Sequence, residues 1–254
     1  MGSEKYSRHI NFGNSITVQD LLYSAHEGDI ILFRNTQIIP SSIPVVYEEY
    51  IRNSLGIGFS HSSMVVGKYL MPSFPMKSDV LYCLDSTTNR FSIPDIFGDV
   101  ANGIRIRRLS SVVSIYQRNG GKVFWIPISR TNSTVISQNR ELFKTFVRNV
   151  YGSKFRSSFS FIADLISDQI YPMSEPRKIS KVRSFVNLNQ FESVCSQMIY
   201  VSCVILGILC PSSYFSTDLG FNISTMTPAQ LLAEIAAHEK DVSLIPVVPK
   251  SCLN

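Results

Sequence analysis

Three residues whose types support nucleophilic catalysis lie in three separate segments of the chain: Cys195, His61 and Asp85. A cysteine thiolate can attack a carbonyl carbon, an imidazole can carry the thiol proton, and a carboxylate can hold that imidazole in one tautomer. Cys195 stands at the start of an apolar run, where the positive end of a helix favours both a thiolate and a developing oxyanion. We therefore take the three residues as a candidate catalytic triad, with Ser196 as backbone support for the oxyanion.

Each of the three residues also fits an ordinary structural role when it is taken alone. His61 directly precedes an apolar strand and fits a turn histidine, while Asp85 follows the predicted strand 80–84 and fits a loop cap. The triad hypothesis depends on the three together: a histidine where a strand starts, an acid where a later strand ends, and a cysteine where a helix starts.

The remaining cysteines and histidines predict no metal site. The chain has five cysteines and four histidines in all, with no CxxC motif and no ligand pair at zinc spacing. It also lacks the Walker and dinucleotide glycine patterns, so we expect no cofactor of any kind. An odd number of cysteines and a polar N-terminus without a secretory signal predict an intracellular, cytoplasmic protein that has no disulfide framework.

The composition indicates one folded domain. With 254 residues, of which 44% are hydrophobic and 17% charged, the chain can bury a large core, and this excludes wholesale disorder. We predict a single domain over residues 1–254, with a core at about 17–240 and a tail on either side. The most apolar segment, 194–210, is too short and too polar for a bilayer span, so we expect a buried helix there.

The elements that must position the triad form two groups. Short runs that are apolar or alternating predict five strands, at 30–33, 62–67, 80–84, 103–109 and 123–128. Helical spacing predicts four helices, at 17–26, 137–150, 193–209 and 227–238. Thr17 and Thr227 are the expected N-caps, and Asp29 is expected to bind turn amides ahead of the first strand. Strands that cluster ahead of most helices predict one α+β domain.

Four motifs in this order give the chain a family resemblance. They are GDIILF at 28–33, SHSSMVV at 60–66, CSQ at 195–197 and TPA at 227–229. The order resembles the circularly permuted papain-like superfamily, the NlpC-like group that includes the bacterial YiiX/YaeF-type amidases and a related poxvirus branch. In that family a GD strand, a histidine strand and an acid-bearing strand precede the nucleophile helix, whereas unpermuted papain-like enzymes place the cysteine first. The resemblance covers roughly residues 28–231.

The resemblance implies both a fold and a reaction. The fold is a permuted papain-like α+β fold, in which an antiparallel sheet or small barrel of about five to six strands packs on the nucleophile helix. The reaction is that of a cysteine peptidase or amidase, a thiol hydrolase that cleaves an amide or acyl ester bond in a peptide-like or acyl substrate. Cys195, His61 and Asp85 would be its catalytic residues.

The sequence departs from the family pattern at two places. The family usually has glutamate where this chain has Asp85, and an acidic residue where this chain has Arg156-Ser157-Ser158. These departures keep open a non-catalytic structural or interaction protein that has the same fold. A lipid acyl hydrolase or transferase is a further alternative, although lipid-active relatives often read NCEH at the nucleophile and this chain reads VCSQ at 194–197.

The charge pattern bears on partners. Net charge is +5, which is mildly basic for this length. Arg105, Arg107 and Arg108 predict a solvated strand face, and the four basic residues between 177 and 183 predict a charged loop. Either set leaves open a peripheral contact with an acidic substrate or with an anionic or membrane surface. No stretch interleaves basic and aromatic residues, so we expect no specific nucleic-acid binding.

Overall fold

The computed structural model describes residues 10–34, 59–87, 91–153, 195–209, 226–239 and 241–250. Within these ranges the chain is a mixed α/β protein with five helices and an open sheet of eight strands. The strands are β1 (Ile10–Phe12), β2 (Ile16–Thr17), β3 (Ile30–Arg34), β4 (His61–Val66), β5 (Tyr82–Thr87), β6 (Gly103–Arg108), β7 (Lys122–Ile126) and β8 (Val242–Val248). The helices are α1 (Val18–Ser24), α2 (Leu109–Arg118), α3 (Ser133–Val150), α4 (Cys195–Leu206) and α5 (Pro228–His238).

The sheet is antiparallel through its centre and parallel at one edge. Its strands lie in the order β1-β8-β7-β3-β4-β5-β6, and β2 also pairs with β8. All pairs from β8 to β6 are antiparallel, whereas β1 and β2 run parallel to β8. The expectation of five to six strands is wrong, because β8 follows the last helix and pairs with β1 and β2. The small-barrel alternative is wrong as well, since the sheet formed by the described residues is open.

Alternation along the strands gives the sheet two buried faces. The first face packs against α3, α4 and α5, and its strand residues include Ile30, Leu32, Met64, Leu84 and Ile106. The second face packs against α1 and α2, and its strand residues include Ile31, Phe33, Val65, Cys83 and Trp125. Because both faces are covered, a polar side chain on either face is removed from water and needs a partner within the fold.

Helix α4 is the buried helix that the apolar segment predicts. It packs on β4 and β5 and is flanked by α3 and α5, so its side chains are buried around most of its circumference. The predicted start of this helix, at 193 and 194, lies outside the described residues. Among the helices that the structure describes, none combines the length and the apolar character needed to cross a membrane.

Two predicted helix starts are confirmed by their caps. The Thr17 side chain accepts from the Asp20 amide, and the Asp20 carboxylate accepts from the Thr17 amide in return. Thr227 and Gln230 form the same reciprocal box at α5, and Pro228 takes the first helical position as predicted.

The boundaries around the candidate acid differ from the prediction. Strand β5 continues to Thr87, so Asp85 lies inside a strand and does not follow one. After β6 the chain enters α2 directly, and the residue at the N-cap of this helix, Arg108, makes no side-chain capping bond. Strand β7 stops at Ile126, short of the end of the predicted strand 123–128, and Pro127, which has no amide hydrogen to donate to a ladder, follows it directly.

Candidate active site

The candidate site lies where β4 and β5 separate beneath the start of α4. The ladder between these two strands pairs Met64 with Leu84 and continues only towards Val66 and Tyr82. On the opposite side, β4 stays paired with β3 as far as His61. The separation leaves the first residues of β4 unpaired by β5, and α4 contacts both strands. A helix start can therefore approach the ends of two neighbouring strands.

His61 is held between aromatic rings and a carboxylate. It is the first residue of β4 and lies opposite Phe33 of β3, whose ring centroid is 5.4 Å from the imidazole. The Tyr116 ring of α2 stacks on the imidazole at 6.1 Å, with only 5° between the ring planes. The ring Nε2 lies 3.0 Å from Asp85 Oδ2. This bond favours the tautomer with hydrogen on Nε2 and leaves Nδ1 as the other ring nitrogen, available to the thiol.

Asp85 is a buried residue of the sheet and not a loop cap. It lies opposite Arg105 in the β5–β6 ladder, and only 2% of its surface is exposed. One carboxylate oxygen meets the His61 ring, and the other accepts a 2.8 Å hydrogen bond from Arg107 Nη1. Aspartate reaches the imidazole although the family usually has glutamate, because the neighbouring strand brings its backbone close.

Cys195 is the first described residue of α4 and contacts both His61 and Ser62. His61 and the Ser62 amide both act on its sulfur and lower the pKa of the thiol. The Ser62 amide is available because β5 does not pair with β4 at this position. The buried Ser62 hydroxyl, which has no partner at ordinary hydrogen-bond length among the described residues, lies beside the same sulfur.

The charges of the site favour a thiolate–imidazolium pair. Burial disfavours the charged thiolate, but the His61 charge and the hydrogen bonds from His61 and Ser62 outweigh burial and lower the pKa of Cys195. Burial also disfavours the charged ring, but the Cys195 charge and the bonds to Asp85 and Cys195 raise the pKa of His61 to about 10. Each of the two groups therefore favours the charged form of the other.

Ser196 has a structural contact within the described residues. Its hydroxyl donates a 2.5 Å hydrogen bond to the carbonyl of Met226, which directly precedes the N-cap of α5. This bond ties the start of α4 to the start of α5, so the hydroxyl is engaged away from the sulfur. Support for an oxyanion by the backbone at Cys195 and Ser196 stays a prediction.

Arg107 is the site residue that sequence reasoning missed. The prediction of a solvated strand face is wrong for it, because only 1% of its surface is exposed and its guanidinium lies on Asp85. The prediction is also wrong for Arg105, whose side chain is largely buried and pairs with Asp95 and Asp99. Arg108 alone of the three is exposed, and the basic residues at 177–183 lie outside the described residues. The signal that points to Arg107 is alternation, which places it on the same sheet face as Asp85.

The other candidate residues of the described chain have structural surroundings. Asp29 accepts hydrogen bonds from the amides of His26 and Ser129 and from the Trp125 indole, as expected for a residue that fixes a turn. His26 lies beyond the end of α1 and His238 ends α5, both away from the triad. No group of three metal-binding side chains occurs in the part of the chain that the structure describes.

Two comparisons of the sequence with known proteins found no match for this chain. No protein-family model matches it, and no curated protein matches its sequence. The candidate site therefore stands on its own geometry, in which Cys195, His61 and Asp85 meet as the sequence predicts and Arg107 completes the buried network.

Proposed function

We propose that this protein is a thiol hydrolase that cleaves an amide or acyl ester bond. Cys195 is the nucleophile, His61 the general base and acid, and Asp85 the residue that orients the imidazole. The proposal rests on one observation: a buried thiol and a buried imidazole stabilise each other's charged forms while the second ring nitrogen is bound to a carboxylate.

The reaction follows from the properties of these groups. The Cys195 thiolate attacks the carbonyl carbon, a C–S bond forms, and the carbonyl electron pair moves to oxygen. Donors at the start of α4 stabilise the oxyanion. As the intermediate collapses, the bond to the amine or alcohol breaks, and the His61 imidazolium gives its proton to the leaving group. His61 then takes a proton from water, which attacks the thioester and releases the acid and the free thiolate.

We also propose that the fold is the permuted papain-like one. The support is the order of the site residues along the chain: a histidine strand, an acid strand and then the nucleophile helix, as that family has them. The antiparallel centre of the sheet and the contact of α4 with β4 and β5 agree with that arrangement. The expected substrate is accordingly peptide-like or acyl, bound through the carbonyl that the thiolate attacks.

The test is site-resolved alkylation of the full chain. Native protein is treated with limiting iodoacetamide from about pH 5 to 9, and all cysteines are followed by mass spectrometry. An ordinary thiol of pKa about 8.5 is only about one part in 300 thiolate at pH 6. We expect Cys195 to react rapidly at pH 6, and the buried Cys83 and Cys203 to stay unmodified, because burial raises the pKa of each.

A His61→Gln variant is the matched control, because glutamine keeps a polar side chain but cannot carry the proton. Its Cys195 should lose the fast reaction at pH 6 and recover reactivity only near pH 9. If Cys195 of the wild-type protein labels slowly with an ordinary thiol profile, the hydrolase proposal is wrong and the non-catalytic interpretation gains.

A further inference from the structure

The Asp85 carboxylate is shared between two cations, and this sharing has a consequence for the site. Oδ2 faces His61 Nε2 at 3.0 Å, and Oδ1 accepts from Arg107 Nη1 at 2.8 Å. A carboxylate that is held at one oxygen can still turn about its Cβ–Cγ bond, whereas hydrogen bonds on both oxygens fix its plane. The bond on Oδ1 therefore determines where Oδ2 points and whether it meets the imidazole.

Arg107 is itself anchored by the backbone. Its Nε donates to the Ile93 carbonyl and its Nη2 to the Ala101 carbonyl, both at 3.2 Å. Three sides of the planar guanidinium are thus fixed, one on Asp85 and two on backbone carbonyls between β5 and β6. A guanidinium fork held in this way is a rigid platform, which a flexible ammonium group cannot replace.

The charges of the network alternate along its length. Going outward, the groups are the Cys195 thiolate, the His61 imidazolium, the Asp85 carboxylate and the Arg107 guanidinium. The ring also contacts the titratable Tyr116 of α2 and the uncharged Phe33 of β3. Arg107 thus balances the charge of the Asp85 carboxylate from the side opposite His61.

We propose that Arg107 is the positioning residue of this site, which locks the Asp85 carboxylate so that His61 keeps hydrogen on Nε2 and presents Nδ1 to Cys195. The inference deepens the proposed hydrolase function and rests on it for its catalytic meaning. The geometry that carries it, a carboxylate held from both sides in a buried sheet, is independent of any substrate.

The experiment follows the Nε2 hydrogen of His61 by NMR in full-length protein labelled with ¹⁵N-histidine. The chain has four histidines, and His61→Gln assigns the signal. In wild-type protein at pH 7 we expect a downfield ring N–H that exchanges slowly with water. In Arg107→Met the exchange should be faster by at least about tenfold, the change that loss of one charge-assisted hydrogen bond gives.

Arg107→Lys keeps the charge but loses the fork, and it covers the case in which Arg107→Met does not fold. We expect its exchange rate to lie between those of wild type and Arg107→Met. Arg105→Met is the control, because Arg105 is two residues away on the same strand but pairs with Asp95 and Asp99. Its ring N–H should exchange at the wild-type rate.

Two outcomes overturn the proposal: an unchanged exchange rate in Arg107→Met (or in Arg107→Lys, where Arg107→Met does not fold), or an equal acceleration in Arg105→Met. The first means that Asp85 is held without Arg107, and the second that the effect belongs to the strand as a whole. Failure of the hydrolase proposal is a different result. It appears as ordinary alkylation of Cys195 in wild-type protein and does not depend on the exchange rates of the His61 ring N–H.

Discussion

Helix α4 carries two buried cysteines whose thiols have opposite properties. Cys195 and Cys203 lie about 12 Å apart along the helix axis and are 7% and 0% exposed. Burial raises the pKa of Cys203, which packs among apolar side chains. The pKa of Cys195 is lowered although it is buried too, because the charge of His61 and the hydrogen bonds from His61 and Ser62 outweigh burial. Thiol reactivity in this helix therefore depends on the polar groups at one end and not on exposure.

The largest expected effect is a loss of activity that occurs in the alanine variant of Cys195 and not in that of Cys203. Cys195→Ala removes the nucleophile, so hydrolysis of peptide p-nitroanilides or p-nitrophenyl acyl esters should fall by at least about 10³-fold. Cys203→Ala should keep full activity and lose only about 1 kcal/mol of stability, a decrease in Tm of about 2–4 °C. Activity assays and thermal melts of both variants check this. Full activity of Cys195→Ala would show that the nucleophile lies elsewhere.

A smaller effect is expected when the acid of the site is neutralised. Asp85→Asn keeps the shape of the side chain but removes the negative charge that stabilises the imidazolium, so the pKa of His61 should fall from its raised value of about 10. The thiolate–imidazolium pair is then lost at lower pH, and the alkaline limb of the activity profile moves down. We expect kcat/KM at pH 7 to fall by about 10²-fold.

The control for this variant is Asp29→Asn, which neutralises a second buried aspartate. Asp29 accepts from two backbone amides and an indole, and none of these groups titrates near neutral pH. Its variant should lower Tm and leave the pH profile unchanged. A pH profile of Asp85→Asn that matches wild type would contradict the orienting role of Asp85.

The smallest expected effect concerns the hydroxyl beside the Cys195 sulfur. Ser62→Ala removes one of the groups that lower the pKa of Cys195 but keeps the backbone amide, so the pKa should rise only slightly. Alkylation of Cys195 at pH 6 should slow by about two- to threefold. Ser63→Ala is the matched control, since its hydroxyl faces Cys83 on the other side of the strand. Equal rates of Cys195 alkylation in the two variants would show that the Ser62 hydroxyl has no role in the site.

The sequence predicts the parts of the fold that carry local signals. The apolar strands at the sheet centre, the threonine caps of α1 and α5 and the buried helix α4 are all found close to their predicted positions. Strand β8 and helix α2 were not predicted. β8 contains Pro246 and gains its partners β1, β2 and β7 from distant parts of the chain. Helix α2 follows a strand without a break and lacks a side-chain cap.

The candidate site likewise has residues that the sequence predicts and one that it does not. Cys195, His61 and Asp85 are found together, as the sequence predicts from their residue types. His61 starts a strand and Cys195 starts the described part of a helix as expected, whereas Asp85 lies inside its strand. Arg107 was not predicted, since an arginine in an alternating strand ordinarily faces water. Its burial depends on Ile93 and Ala101 lying over the β6 strand, a pairing that only the folded chain reveals.

The distance in sequence between β4 and α4 gives Cys195 a use beyond chemistry. About 130 residues separate His61 from Cys195, so their contact is a long-range one that requires the helix to dock on the sheet. If the proposed function is right, Cys195 has ordinary thiol reactivity before this docking and reacts fast after it. A brief pulse of iodoacetamide at pH 6 during refolding therefore measures when α4 docks on the sheet. The extent of labelling of one sulfur atom reports this long-range step of folding.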